Sequence, residues 1–256
     1  MSKPDTLQGL RILNTRPLHQ GRALSQAIHD AGGISIDFPT LTIEPTSDDW
    51  LKHLPTIANV HSAIFISANA VHYFYQALKK RQLKWPASIK TIAIGKASAA
   101  ALEKYKIHDY HIPAVADSKH LLQLDVLQNI NHQTILLVKG EGGLSTISDT
   151  LLQREAHLIS LAVYRRALPI VIPQIADALW HDNAVDIILF TSQQAIHNLF
   201  KLLGEDARTW LCKTPCLVIS PRLAKEASLL GIQTIISCDY DAILATLEHY
   251  NQRISP

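Results

Sequence analysis

The sequence predicts an α/β protein made from a duplicated half. Three observations carry this: runs that are apolar throughout, helix-like spacing after each run, and a repeat at a nearly constant offset. Runs apolar on both faces suit parallel strands covered by helices on either side. Leu10-Arg11-Ile12-Leu13 opens the series as a strand, and Ala23, Leu24, Ala27, Ile28 and Ala31 then share one helical face. The alternation recurs at Ala63–Ile66, Thr91–Ile94, Thr134–Val138, Val185–Phe190 and Cys216–Ile219.

These units are related to one another. Ala63-Ile64-Phe65-Ile66-Ser67-Ala68-Asn69-Ala70-Val71-His72 aligns with Ile188-Leu189-Phe190-Thr191-Ser192-Gln193-Gln194-Ala195-Ile196-His197 at an offset of 125, with Phe, Ser, Ala and His coinciding. The next unit keeps that offset, with Ile94-Gly95-Lys96 on Ile219-Ser220-Pro221, Ala99 on Ala224 and Ile107 on Ile232. The opening unit matches Thr134–Leu158 at 124, placing Leu13 on Leu137, Ala27 on Leu151 and Ile34 on Leu158. Two similar lobes follow, with a ligand expected in the cleft between them. On the repeat alone, a tandem cut falls near Gln128–Gln133.

Composition narrows the function. With 24 basic and 22 acidic residues, the net charge is +2. The basic clusters, Lys79-Lys80-Arg81 and Arg165-Arg166, are too short for the broad cationic face of a duplex-binding domain. Nucleic acid is therefore not an expected partner. The three cysteines, Cys212, Cys216 and Cys238, form no disulfide framework and suit a reducing compartment. Thirteen histidines include no H-E-x-x-H or comparable pair, so a metal site has no support. No apolar run approaches the roughly 18 residues of a membrane span. Met1–Gly9 lacks the order of a signal peptide, which points to the cytoplasm.

Candidate site residues gather after the strands. Ser67 with Asn69, Gly95 with Ser98, Thr191 with Ser192, and Ser220 lie where helices begin. Unpaired N–H groups and the helix dipole favour an anion there, although serine and threonine also simply cap their own helices. Four such turns in matched positions suit a ligand with many anionic groups. Lys139-Gly140-Glu141-Gly142-Gly143 follows a strand but is neither a P-loop nor G-x-G-x-x-G, and positive backbone angles account for at least one of its glycines. Arg16, in Asn14-Thr15-Arg16-Pro17, is equally suited to a carboxylate or to solvent, with Pro17 placed for the first helical turn. Tyr164 follows an alternating stretch; packing explains it as well as catalysis does. No nucleophile–base pair or paired carboxylate motif is visible, so an enzyme of this kind would work by holding and shaping its substrate.

In order and spacing, a series of segments resembles the uroporphyrinogen-III synthase family. They are Asn14-Thr15-Arg16-Pro17, Pro39 with Ile43-Glu44-Pro45, Phe65-Ile66-Ser67-Ala68-Asn69-Ala70-Val71, Ile94-Gly95-Lys96-Ala97-Ser98-Ala99, Lys139-Gly140-Glu141-Gly142-Gly143, Val163-Tyr164-Arg165-Arg166 and Phe190-Thr191-Ser192. The resemblance covers nearly the whole chain. It implies two α/β lobes, each a parallel sheet flanked by helices, with an interleaved chain path and a two-stranded connection. Met1–Asp37 plus Pro169–Pro256 would form one lobe and Phe38–Leu168 the other.

It also implies the chemistry. Hydroxymethylbilane loses water, the electrophile is attacked by the substituted carbon of ring D, and the spiro intermediate fragments and recloses as uroporphyrinogen III. No cofactor is needed. By the same resemblance Tyr164 protonates the leaving hydroxyl, while Arg16, Ser67, Asn69, Gly95, Ser98, Lys139, Thr191, Ser192 and Ser220 bind a substrate with eight carboxylates. A monomer is expected, with hydroxymethylbilane synthase as a transient partner. Ile66, Lys119, Leu144 and Arg222 depart from the family's common pattern. A non-catalytic bilobed protein that binds a polyanion is the alternative. A nucleotide-using transferase would want a cleaner phosphate loop and an acidic metal ligand.

Overall fold

A computed structural model describes residues 6–54, 59–143 and 145–254, so Leu144 lies outside the described residues. The chain divides into two compact units, Met1–Thr42 with Ala167–Pro256, and Ile43–Arg166. The division is not tandem. The opening strands β1 (Arg11–Asn14) and β2 (Ile34–Asp37) share a sheet with strands from the end of the chain.

The second unit holds β3 (Thr42–Pro45), β4 (Ser62–Phe65), β5 (Lys90–Ala93), β6 (Thr134–Gly140) and β7 (His157–Ala167), in the order β3-β7-β6-β4-β5. The pairs β4–β5, β4–β6 and β6–β7 are parallel. Strand β4 is buried throughout, as a central strand covered on both faces must be. Phe65, Leu136 and Val138 turn to one face, under α2 (Ala68–Lys80) and α3 (Lys96–Glu103). Ile64, Ile92, Ile135 and Leu137 turn to the other, under α4 (Ser118–Leu121) and α5 (Thr146–Gln153).

The first unit adds β8 (Ile187–Phe190), β9 (Cys216–Val218) and β10 (Ile235–Ser237), in the order β10-β9-β8-β1-β2, all parallel. Leu13, Ile188, Phe190 and Val218 pack with α6 (Pro173–His181), α7 (Gln193–Leu203), α8 (Arg208–Lys213) and α9 (Pro221–Leu229). Ile12, Ile187, Leu189 and Leu217 pack with α1 (Leu18–Asp30) and α10 (Ile243–Ile254). Pro17 stands as the cap residue just before α1, not inside its first turn as the sequence suggested.

Strand registers test the repeat residue by residue. Ile64 pairs with Ile92 as Leu189 pairs with Leu217, and Ile92 bridges His111 as Leu217 pairs with Ile236. Each correspondence is an offset of 125. In the opening unit the sequence match is one residue out. Leu189 pairs with Asn14 and Ile64 with Leu137, so Asn14 corresponds to Leu137, and Leu13 to Leu136. Because side chains alternate across a strand, this slip decides the face, and Leu13 and Leu136 do occupy equivalent faces. Among the described residues no helix is long and apolar enough to cross a membrane.

Candidate active site

Parallel strands bring all their carboxyl ends to one edge of a sheet, where α/β proteins place their ligands. In the second unit that edge gathers Ser67 and Asn69 after β4, Gly95 and Ser98 after β5, and Lys139 and Tyr164 on β6 and β7. In the first unit it gathers Arg16 after β1, Thr191 and Ser192 after β8, and Ser220 after β9.

The serines do cap their helices. Ser67 Oγ accepts from Ala70 N–H at 3.0 Å, Ser192 from Ala195 at 3.1 Å and Ser220 from Leu223 at 3.3 Å. A cap satisfies only the third N–H of the helix, so donors of the first turn stay open to an anion. Asn69 sits half-buried in the first turn of α2, its side chain without a hydrogen-bond partner among the described residues. Gly95 begins α3 with extended backbone; a Cβ there would lie 2.6 Å from that of Ala116, so close packing demands glycine. Ser98 is buried at 2% exposure, turned away from open surface. Lys139 is half-buried and has no ion-pair partner among the described residues.

Tyr164 is the most closely held of these side chains. Its Oη shares a hydrogen bond with Ser67 Oγ at 3.1 Å, its ring stacks with that of Tyr73 at 6.1 Å between centroids, and Gly140 lies directly opposite in the β6–β7 register. A shift in that register between Lys139 and Gly140 leaves Val163 and Tyr164 both buried, breaking the alternation that precedes them. Both groups are hydroxyls, each able to donate or accept. Tyr73 in turn donates to Ile43 C=O at 2.7 Å, and burial, the larger cause, together with the nearby Glu44 carboxylate pushes the Tyr73 phenol upward.

In the first unit, Arg16 Nη1 donates to Tyr240 Oη at 2.6 Å, and the guanidinium carbon stands 4.9 Å from that ring's centroid. Its Nε is buried without a hydrogen-bond partner among the described residues. The two preceding residues are structural. Asn14 Nδ2 donates to Ser25 Oγ at 2.9 Å, and Thr15 Oγ1 to Leu189 C=O at 2.6 Å. Ser25 in turn donates to Asp37 at 2.6 Å. Sequence reasoning missed Tyr73, Tyr240 and this network. Tyr73 carried a weak signal, as an aromatic residue in α2, whereas nothing local links Tyr240 to Arg16.

Of the family departures, Ile66 directly follows β4, Lys119 lies in α4 behind its Asp117 cap, and Arg222 is exposed in the first turn of α9.

The class so defined is a protein of two α/β units, each built on a sheet of parallel strands, whose polar turns collect at the carboxyl edge of each sheet. Residues 22–242 match the family model described as uroporphyrinogen-III synthase HemD. The chain is 31% identical to the uroporphyrinogen-III synthase of Escherichia coli (strain K12), over 93% of this chain and 100% of that one. It is 30% identical to that of Salmonella typhimurium over the same shares. Two solved structures share the fold. Uroporphyrinogen-III synthetase from Helicobacter pylori 26695 gives a TM-score of 0.57 at 16% identity, covering 94% of this chain and 99% of that one. A mutant uroporphyrinogen III synthase from the extremely thermophilic bacterium Thermus thermophilus gives 0.56 at 18% identity, covering 95% and 98%. The chain belongs to the uroporphyrinogen-III synthase family. It is accordingly an enzyme, a lyase of porphyrin and heme biosynthesis.

Proposed function

We propose that the chain dehydrates and cyclises hydroxymethylbilane with inversion of ring D, releasing uroporphyrinogen III, and that Tyr164 is its general acid. The Tyr164 hydroxyl gives its proton to the leaving hydroxymethyl oxygen, so the C–O bond breaks with loss of water. The resulting electrophile is attacked by the substituted carbon of ring D, and the spiro intermediate fragments and recloses. The observation that best supports this role is the placement of the Tyr164 hydroxyl at the carboxyl edge of its sheet, where it is hydrogen-bonded to Ser67 Oγ at 3.1 Å.

The open N–H groups at the starts of α2, α3, α7 and α9 are proposed to take the substrate's carboxylates, with Arg16 and Lys139 adding charge and Ser67, Asn69, Gly95, Ser98, Thr191, Ser192 and Ser220 shaping the turns. Much of that recognition runs through backbone, so most single side-chain deletions cost little. The protein is proposed to work as a cytoplasmic monomer. Its free thiols at Cys212, Cys216 and Cys238 fit a reducing compartment. Transient contact with hydroxymethylbilane synthase would hand over the substrate.

The test supplies freshly generated hydroxymethylbilane and separates the oxidised porphyrins by isomer. Rapid excess of type III is expected, and Tyr164→Phe should slow turnover on the order of 10²-fold while leaving the fold intact. Only type I product at the blank rate, from folded protein, would favour a non-catalytic polyanion-binding role. Unchanged turnover in Tyr164→Phe would remove Tyr164 as the acid.

A further inference from the structure

The three glycines of Lys139-Gly140-Glu141-Gly142-Gly143 serve different purposes. Gly142 and Gly143 have φ of 72° and 90°, where an L side chain is strained. Gly140 is not among the positive-φ residues, so its backbone would accept alanine. What excludes a side chain is Tyr164. A Cβ on Gly140 would lie 2.6 Å from Cζ of that ring, 2.7 Å from Cε2 and 3.0 Å from Oη. Carbon atoms pack at roughly 3.5 Å, so the ring would have to retreat by about 1 Å.

Retreat would not be free. The ring is also packed against Tyr73, which is tied to Ile43, and its oxygen is held by Ser67, which is itself fixed by Ala70 N–H. Glu141 N–H donates to Tyr164 C=O at 2.8 Å, holding the backbone of β7 against β6 at this point. The phenol oxygen therefore occupies a position set on one side by the missing side chain of Gly140. We propose that Gly140 is a positioning residue for the reaction. It acts through Tyr164, by letting the phenol lie against the β6 backbone within reach of Ser67. This rests on Tyr164 being the acid.

The experiment is a double-mutant cycle in Gly140→Ala and Tyr164→Phe, with kcat and KM for hydroxymethylbilane measured on each protein. A displacement of about 1 Å in a reacting group costs on the order of 10²-fold, so Gly140→Ala should lower kcat by about that factor with little change in KM. In the Tyr164→Phe background the same substitution should cost almost nothing further, because the hydroxyl it displaces is gone. A full additional loss in the double variant would overturn the proposal, as would unchanged kcat in Gly140→Ala beside a slowed Tyr164→Phe. If Tyr164→Phe turns over normally, the assignment of the acid has failed and the role of Gly140 falls with it; that result is separate from the other two. Should Gly140→Ala not fold, Gly140→Ala in a Tyr164→Leu background removes the clashing ring. Recovered folding would support the contact, and continued misfolding would refute it.

Discussion

Arg16 has more hydrogen-bonding capacity than its surroundings use. Nη1 reaches Tyr240, yet Nε is buried without a hydrogen-bond partner among the described residues, a state that costs free energy until a partner arrives. A carboxylate presented to the guanidinium edge would satisfy Nε and a second donor together, which an ammonium cannot reproduce. Arg16→Lys should therefore raise KM for the bilane about tenfold or more, the equivalent of a lost charge-assisted bond, with kcat little changed. An unchanged KM would mean that the guanidinium serves only to hold Tyr240. From sequence, Arg16 was legible as a candidate because it follows a strand, but its partner lies 224 residues away in the chain. Asn14 and Thr15 look like part of the same polar motif, yet they are 1% and 0% exposed and spend their side chains on the scaffold. Motif membership does not separate candidate ligand contacts from internal struts; burial does.

Strands that are apolar on both faces were visible in the sequence, and those with one weak face were not. Of the two sheets' edge strands, β2, β3 and β10 are half-buried or exposed along their length and present no continuous apolar run. The central strands β4 and β8 are buried throughout and were located to within a residue or two. The one-residue error in the opening repeat has a similar origin, because alternating Ile and Leu match nearly as well one step out of register, and only pairing fixes the face. Pairing at β1 has its own anchor at the amino edge, away from the candidate site. Arg11 donates through its backbone N–H, Nε and Nη2 to Asp186, just ahead of β8, at 2.8, 3.0 and 2.6 Å. Burial alone would raise the Asp186 carboxyl, but the bonds from Arg11 outweigh it and hold the group below the usual carboxylate value. A depressed folded-state pKa gives stability that is present above the unfolded pKa and lost as pH falls through the folded one. Asp186→Asn should thus cost about 1–2 kcal/mol at pH 7 and progressively less below pH 4, as measured by urea denaturation across that range. An equal deficit at pH 7 and pH 3 would show that the charge on Asp186 contributes nothing.

Each unit carries its own pair of apolar layers, one on either face of its sheet, and the repeat supplies matched probes of them. Phe65 in the second unit and Phe190 in the first are related by the offset of 125, close equivalent strands, and are both fully buried. Truncating either to alanine should cost about 3–5 kcal/mol, since the ring leaves a cavity that rigid neighbours fill only partly. Proteins of more than one domain commonly depart from two-state unfolding, and two cores without shared members invite that behaviour. Scanning calorimetry of the parent protein should then resolve two transitions, with Phe65→Ala lowering one and Phe190→Ala the other. The assignment can be checked independently, because Asp186→Asn lies in the first unit and must move the same transition as Phe190→Ala. If instead one transition responds equally to all three substitutions, the units unfold cooperatively, and the duplication visible in the sequence is a matter of descent and not of separate folding units.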